Sequence, residues 1–186
     1  TALAQVLADN KQEVIMWGID PCEVEDIEVN HHNTKFFETE INHNIHASTD
    51  LSVVADSDVV LAAVPTMALE EVLTKASQHL TKPAIIINVA KGFHPVTHER
   101  LSVVISKIVP TEKCAAIVSL IGPSHAEEVI QRLMTSVNAV SDNEEAAKTV
   151  QHLFSNQYFR VYRNSDVIGA EIGVAIKNVM AIASGI

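Results

Sequence analysis

The sequence predicts an α/β protein whose central sheet is doubly wound and mainly parallel. The candidate strands are short apolar runs without alternation, which is the pattern of strands buried on both faces. Amphipathic stretches with helical periodicity separate them. Four of the apolar runs end close to a glycine or a proline. Helices that alternate with buried strands form right-handed crossovers, and such crossovers join parallel strands.

The elements follow in order from an opening helix over residues 1–9, where Leu3, Val6 and Leu7 have helical spacing. Strands are predicted over 13–17, 57–64, 84–89, 114–120, 135–140 and 158–162. Helices between them are predicted over 66–79, 97–108, 124–132 and 143–155. Asp142 is a candidate N-cap for the last of these helices, because a carboxylate there accepts from free backbone N–H groups.

The carboxyl ends of the strands are the expected ligand edge, since open parallel sheets bind ligands there. That rule selects residues 18–20, 65–66, 90–92 and 122–124, each marked by glycine or proline. Residues 122–124 open a predicted helix, whose first N–H groups are suited to anions. Ser124 has a second interpretation as an N-cap that forms a capping box with Glu127.

Both ends of the sequence are unusual for such a domain. The chain begins with a helix, and no strand with a GxGxxG turn precedes it. From Asp166 onward, a long helix is apolar nearly all round, with Glu171 and Lys177 as its strong charges, so we expect it to be buried. We therefore expect truncation at both ends. Residues 1–165 are predicted to be a Rossmann-like dinucleotide-binding domain without its first strand and Gly-rich turn, and residues 166–186 to begin an all-α substrate domain.

Composition excludes several classes of function. The formal net charge of −10 disfavours nucleic acid as a partner. The two cysteines form no metal spacing or disulfide framework, and a basic, apolar signal segment is absent. No apolar run reaches the roughly 20 residues of a membrane span. We expect a cytoplasmic protein with no membrane partner. His31, His32, His43 and His46 lack regular ligand spacing, so no metal site is expected.

Four segments resemble the bacterial NAD(P)-dependent glycerol-3-phosphate dehydrogenases. They are TALAQVLADN at 1–10, the Lys91-Gly92 pair, GPSHAEEV at 122–129 and YFRVYRNSDVIGAEIGVAIKNVMAIASGI at 158–186. The resemblance implies an oxidoreductase that interconverts sn-glycerol 3-phosphate and dihydroxyacetone phosphate with NAD or NADP, supplying a glycerophospholipid precursor. It also implies a small-molecule substrate and allows a homodimer through the missing C-terminal domain.

The resemblance assigns roles to residues at matching positions. Lys177 is the expected catalytic acid/base, and Asn178 is expected to bind substrate. Lys91 is expected to contact both substrate and cofactor. Gly122 and Ser124 are expected at the substrate, and Ile19, Phe36 and Ala126 at the cofactor. From the residues alone, Lys177 is more often a surface lysine, Lys91 is usually a solvated loop lysine, and Phe36 is as readily a core residue.

Ile19 is the departure with the clearest consequence, because relatives usually have a basic or polar residue there. An apolar side chain offers no charge to a 2′-phosphate, so we expect NAD to be used at least as well as NADP. Two other functions remain open. One is a related two-domain reductase of the ketopantoate or 6-phosphogluconate type. The other is a non-catalytic dinucleotide-binding redox sensor.

Overall fold

The computed structural model describes residues 1–185, which divide into two compact units. Each unit contains several separate stretches of the chain. The first unit comprises Thr1–Val53, Pro123–Val137 and Val150–Tyr162. The second comprises Val54–Gly122, Asn138–Thr149 and the residues from Arg163 onward.

Helices and strands alternate along the described residues, as the sequence predicts. The helices are α1 (Ala2–Asp9), α2 (Pro21–Asn30), α3 (Thr66–His79), α4 (Leu101–Ile108), α5 (Ala126–Ile130), α6 (Glu144–Phe154) and α7 (Val167–Ser184). The strands are β1 (Val14–Trp17), β2 (Ile45–Ser48), β3 (Val59–Ala62), β4 (Ala84–Asn88), β5 (Cys114–Ile121), β6 (Thr135–Val140) and β7 (Phe159–Asn164).

The strands form two sheets, and the pairing confirms the α/β, mainly parallel prediction. Strands β1 and β2 pair in parallel in a two-stranded sheet. The other sheet has the order β3-β4-β5-β6-β7, in which β3, β4 and β5 are parallel neighbours. Strand β6 is antiparallel to β5. The connection between them contains a helix of only five residues, α5, and returns the chain in the opposite direction.

Strand β4 and helices α3 and α4 supply most of the core of the second unit. Helix α3 buries Leu69, Leu73 and Ala76, spaced four and three residues apart on one face. Burying each leucine stabilises the fold by about 1.5–3 kcal/mol. The same cluster contains Ile86 of β4 and Ile105 of α4. This core fixes the positions at which β3 and β4 end.

In the first unit, α1 packs against α5 and β1. Helix α1 buries alanines and Val6, whose small side chains allow close approach. Asp9 at its C-terminal end accepts hydrogen bonds from Arg132 Nε at 2.8 Å and Tyr158 Oη at 2.7 Å. These bonds tie α1 to two segments that lie more than 120 residues later in the sequence.

Two elements escape sequence prediction for identifiable reasons. Helix α2 buries only Ile27 and is mainly acidic, so it lacks an apolar period. Its start is signalled instead by Asp20, whose side chain accepts from the Cys22 N–H at 3.1 Å, followed by Pro21 at the first helical position. Strand β2 is only four residues long, and the exposed His46 interrupts its apolar run.

Three helices, α4, α5 and α6, start later than predicted. The expected Asp142 cap of α6 is wrong, because Asn143 lies directly before the helix and its Oδ1 accepts from the Ala146 N–H at 3.0 Å. Helix α4 begins at Leu101 rather than at residue 97, because a bridge between Phe93 and Arg100 closes residues 93–100 into a turn.

Helix α7 is long and apolar enough to cross a membrane by length and composition, with a mean hydropathy of 1.5 over 18 residues. Core helices of soluble proteins pass the same test. Near its start, the buried Glu171 carboxylate accepts from Arg100 Nη1 at 3.0 Å and Ser119 Oγ at 3.1 Å. Within the second unit, these contacts attach the start of α7 to the segment that begins α4 and to β5.

Candidate functional site

Lys91 and Gly122 leave two paired parallel strands at the same edge. In the register of β4 and β5, Asn88 lies beside Ser119, and Lys91 and Gly122 each follow three residues later. The carboxyl ends of these strands therefore bring a cation and a glycine to the same edge of the sheet. The Lys91 side chain is exposed and has no hydrogen-bond or ion-pair partner within residues 1–185.

The turn after β4 holds the backbone of Lys91 in place. Asn88 Oδ1 accepts from the Ala90 N–H at 3.0 Å, and the Thr66 hydroxyl donates to the Lys91 carbonyl at 3.2 Å. Gly92 follows with a φ of +99°, a conformation that side-chain-bearing residues rarely adopt. Thr66 is a supporting residue that the sequence analysis did not identify beyond its position at a strand exit.

Lys177 and Asn178 lie on α7, and both are exposed. After Glu171 this helix presents most of its residues to solvent, so its burial against another part of the protein stays a prediction. Lys177 lies six residues beyond Glu171, about 9 Å along the helix axis. No hydrogen bond or ion pair within the described chain joins Lys177 or Asn178 to Lys91 or Gly122.

The GPSHAEE segment begins its helix later than predicted. The helix α5 starts at Ala126, with His125 rather than Ser124 at the N-cap position and no side-chain cap bond. The predicted capping box between Ser124 and Glu127 is therefore not formed. The Ser124 hydroxyl is half-buried and has no hydrogen-bond partner in the described part of the chain, so it is free to bind a ligand.

The exit of β1 carries charges that the sequence analysis did not assign. Lys35 Nζ donates to Asp20 Oδ2 at 3.1 Å and to Glu23 Oε2 at 3.4 Å, and it lies 5.5 Å from the centroid of the Phe36 ring. The hydrogen bond from Lys35 lowers the pKa of Asp20, and the bond to Asp20 raises the pKa of Lys35. Phe36 itself is 59% exposed, so the core interpretation of this residue is wrong.

A cavity of about 440 Å³ lies beside this group, and four of its nine lining residues are acidic. Its wall includes Asp20, Glu23, Glu25, Asp26 and Lys35. Four carboxylates face a single ammonium there. Ile19, which precedes Asp20, is 82% exposed. The only sequence signal for Lys35 was its position next to Phe36.

The histidines of residues 31–46 contact one another and nearby carboxylates. The rings of His31 and His43 stack with centroids 4.0 Å apart. His43 contacts Glu40 at 2.7 Å, and His46 contacts Glu28 at 3.2 Å. Within residues 1–185, no group of three or more His, Cys, Asp or Glu side chains is arranged to hold a metal ion. The absence of a metal site stays a prediction.

Comparisons of the sequence with known proteins all lead to the same family. The family described as the NAD-dependent glycerol-3-phosphate dehydrogenase N-terminus matches residues 1–147. The glycerol-3-phosphate dehydrogenase [NAD(P)+] of Enterococcus faecalis is 46% identical over 100% of this chain and 55% of its own length. For the enzyme of the same name from Lysinibacillus sphaericus, the identity is 44%, over 100% of this chain and 56% of its own length. The chain thus spans about half the length of these relatives.

Solved structures agree with this match. The crystal structure of glycerol-3-phosphate dehydrogenase from Coxiella burnetii superposes with a TM-score of 0.85 and 28% identity, covering 99% of this chain and 56% of that one. The Plasmodium falciparum glycerol-3-phosphate dehydrogenase gives a TM-score of 0.89 with 26% identity, over 99% and 54% of the two chains. The family match over most of the sequence and these superpositions agree, and the chain belongs to the family of NAD-dependent glycerol-3-phosphate dehydrogenase N-terminal domains.

Proposed function

We propose that the protein interconverts sn-glycerol 3-phosphate and dihydroxyacetone phosphate with NAD or NADP, as the names of its relatives indicate for those proteins. The observation that carries the proposal is the pair of strand exits at Lys91 and Gly122, which presents an unpartnered cation beside a glycine at one sheet edge. In the reductive direction, the product of this reaction is sn-glycerol 3-phosphate, which is a glycerophospholipid precursor.

The chemistry requires a proton acceptor as well as a hydride acceptor, because oxidation of an alcohol removes a hydride from carbon and a proton from oxygen. The nicotinamide ring, when bound, accepts the hydride. We assign the hydroxyl proton to Lys177 Nζ, which is exposed and has no partner in the described residues. In the reverse direction the same ammonium returns the proton to the carbonyl oxygen.

The remaining candidate residues are proposed to bind and orient the substrate and the cofactor. Lys91 is proposed to attract the phosphate of the substrate and to contact the cofactor. Gly122, the free hydroxyl of Ser124 and the amide of Asn178 are proposed to contact the substrate. Ile19, Phe36 and Ala126 are proposed to lie against the cofactor, and the exposure of Ile19 and Phe36 leaves their apolar surfaces available to it.

We propose that residues 1–165 form the dinucleotide-binding domain and that α7 begins the substrate domain. The protein is proposed to be cytoplasmic, with neither nucleic acid nor membrane as a partner. The Glu171 contacts attach the start of α7 to the segment before α4 and to β5, which supports α7 as part of this fold rather than a membrane span. Assembly as a homodimer completes the proposal, and sedimentation of the full-length protein tests it.

The direct test is the oxidation of NADH or NADPH by the full-length protein with dihydroxyacetone phosphate, followed by the absorbance of the reduced nicotinamide. Saturable turnover that depends on dihydroxyacetone phosphate is expected. Ketopantoate and ribulose 5-phosphate with carbon dioxide serve as control substrates for the related reductases. Turnover with one of these instead, or cofactor binding without any turnover, would contradict the proposal.

A further inference from the structure

His94 is a buried histidine in the loop that follows Lys91. Its residue is only 8% exposed, although the loop around it is largely solvated. Both ring nitrogens have partners. Nδ1 lies 3.1 Å from the Thr97 backbone nitrogen, and Nε2 lies 3.1 Å from Glu70 Oε2. A buried imidazole with two fixed partners has one orientation and one set of hydrogen-bonding roles.

The contacts determine the tautomer of His94. A backbone N–H can only donate, so Nδ1 accepts from Thr97 and carries no proton. The proton of the neutral ring is therefore on Nε2, which lies 3.1 Å from the Glu70 carboxylate. The imidazole thus acts as a directed link between the loop and α3, because Glu70 belongs to that helix.

The loop itself is closed by backbone bonds. The His94 N–H donates to the Glu99 carbonyl at 2.9 Å, and the His98 N–H donates to the His94 carbonyl at 2.9 Å. A short joint connects the closed loop to β4. That joint contains Gly92, whose φ is +99° and around whose Cβ position nothing lies within 4 Å. A glycine without neighbours gives the joint little intrinsic stiffness.

Two polar contacts with α3, one hydrogen bond and one ion-pair contact, lie on either side of Gly92. The Thr66 hydroxyl holds the Lys91 carbonyl before it, and the Glu70 carboxylate holds the His94 ring after it. Thr66 and Glu70 are four residues apart on α3 and so lie on one face of that helix. The helix therefore clamps the flexible joint from both sides.

We propose that His94 is a positioning residue for Lys91, acting through its Nε2 contact with Glu70. The inference rests on the proposed function, in which Lys91 contacts substrate and cofactor. Without the link to α3, the loop turns about Gly92 and Lys91 samples positions away from its ligands. The loss then falls mainly on binding, since the group assigned to proton transfer lies elsewhere on α7.

Two conservative variants separate the link to α3 from the local turn. In His94→Gln the amide nitrogen can replace Nε2 as a donor to Glu70, but the acceptor for Thr97 is lost. In His94→Asn the amide oxygen can replace Nδ1 as the acceptor for Thr97, but Glu70 is out of reach. Glu70→Ala removes the link from the other side. Glu71→Ala is the matched control, because Glu71 pairs on the surface with Lys75 and contacts no part of the loop.

Steady-state kinetics of the full-length enzyme and hydrogen exchange of its loop amides test the proposal together. We expect His94→Ala, His94→Asn and Glu70→Ala to raise KM for dihydroxyacetone phosphate about tenfold, with kcat changed less than threefold. His94→Gln and Glu71→Ala should keep KM within about twofold of wild type. In a double-mutant cycle, Glu70→Ala should add nothing to His94→Ala. Amides of residues 92–99 should exchange faster in His94→Ala, while those of β4 should not change.

The outcomes are distinguishable from failure of the proposed function. If the wild-type enzyme has no turnover, the proposed function fails, and the exchange measurement still decides whether His94 holds the loop. If the wild type is active but His94→Ala and Glu70→Ala keep normal KM, the positioning role is overturned. Rescue by His94→Asn rather than His94→Gln would also overturn it, because a local turn would then be the whole role of the ring.

Discussion

Lys177 is the residue on which the proposed chemistry depends most, and it is exposed on α7. The sequence places it on an apolar helix that is expected to be covered by another part of the protein, and the resemblance names the position. Proton transfer by Lys177 therefore requires that ligands or other parts of the protein surround it when it acts. Its role stays a prediction, which substitution can test.

We expect Lys177→Ala in the full-length protein to lower kcat about 10²-fold or more, because a general acid/base contributes about that much. Affinity for NADH should stay near that of wild type. Lys91→Ala should instead raise KM as well, because Lys91 is assigned to both ligands. The measurement is kcat, KM and NADH affinity for each variant.

Lys148→Ala is the matched control, since Lys148 pairs on the surface with Glu145 at 2.6 Å and has no assigned role. Normal kcat in Lys177→Ala would contradict the catalytic role. The surface-lysine alternative predicts that result, because truncating a solvated side chain leaves the transition state unchanged.

Cofactor preference depends on Ile19 and on the charges beside it. The cavity at the exit of β1 has four carboxylates against Lys35, and Lys35 is already paired with Asp20 and Glu23. A 2′-phosphate would enter a negatively charged region, whereas the free ribose of NAD would meet hydrogen-bond acceptors. We predict that kcat/KM for NADH at least equals that for NADPH, measured with dihydroxyacetone phosphate.

Ile19→Arg should shift this preference towards NADPH. Val29→Arg is the control for added charge, because Val29 is an exposed residue of α2 that does not line the cavity. A wild-type preference for NADPH above about tenfold, which corresponds to 1.4 kcal/mol, would show the prediction to be wrong. Such a result would mean that Lys35 leaves its carboxylates and binds the phosphate.

At the scale of elements, α7 is attached by one buried carboxylate. Glu171 accepts from Arg100 Nη1, from the Ser102 backbone N–H at 3.1 Å and from the hydroxyls of Ser102 and Ser119. We predict that Glu171→Ala lowers the free energy of unfolding by roughly 3–5 kcal/mol, since it leaves the Arg100 guanidinium unpaired in a partly buried site. Urea unfolding measures the change.

Glu171→Gln should lower the free energy of unfolding by less than Glu171→Ala, because the amide oxygen can still accept hydrogen bonds from the serines. Glu145→Ala, which removes an exposed carboxylate of α6, should change the free energy of unfolding by less than about 1 kcal/mol. Equal effects of Glu171→Ala and Glu145→Ala would rule out the attachment of α7 through this carboxylate.

The elements also show where sequence patterns suffice. Helix α3 and strand β6 have the predicted bounds, because an amphipathic period and a continuous apolar run are local properties. The start of α4 and the whole of α2 were not predicted. Their boundaries depend on the Phe93–Arg100 bridge and on the Asp20 cap, and neither changes the periodicity of the sequence.

For the whole molecule, we predict that stability falls at both extremes of pH. Burial disfavours the Asp9 carboxylate, but hydrogen bonds from Arg132 and Tyr158 outweigh burial and lower the pKa of Asp9. Because folding lowers this pKa, its contribution is complete above about pH 4 and is lost as pH falls through the folded value. Hydrogen bonds lower the pKa of Asp26 and Glu28 in the same direction.

The pKa of Tyr158 shifts in the opposite direction from that of Asp9. Burial and the hydrogen bond to Asp9 raise its pKa to about 12. Its contribution is therefore complete below about pH 10 and is lost as pH rises from there through about 12. Urea unfolding between pH 3 and 12 measures the loss of stability at low pH and at high pH. Asp9→Asn should reduce both losses, and pH-independent unfolding below pH 5 would contradict the assignment.

The sequence alone determined the class of fold and the positions of its ligand edge. Continuous apolar runs identify strands buried on both faces, and glycines and prolines mark where those strands end. Lys91, Gly122 and the GPSHAEE segment could be named from these local signals and from the resemblance. Each signal lies within about ten neighbouring residues, which is the range over which periodicity and turn chemistry act.

Tertiary structure decided the contacts between residues far apart in sequence. The antiparallel pairing of β6, the burial of Glu171 against Ser102 69 residues away, and the pairing of Lys35 with Asp20 leave no periodic trace. The same holds for His94, whose partner Glu70 lies on a different element. Such contacts depend on how elements pack, and packing is set by the shape and polarity of whole surfaces rather than by the spacing of residues along the chain.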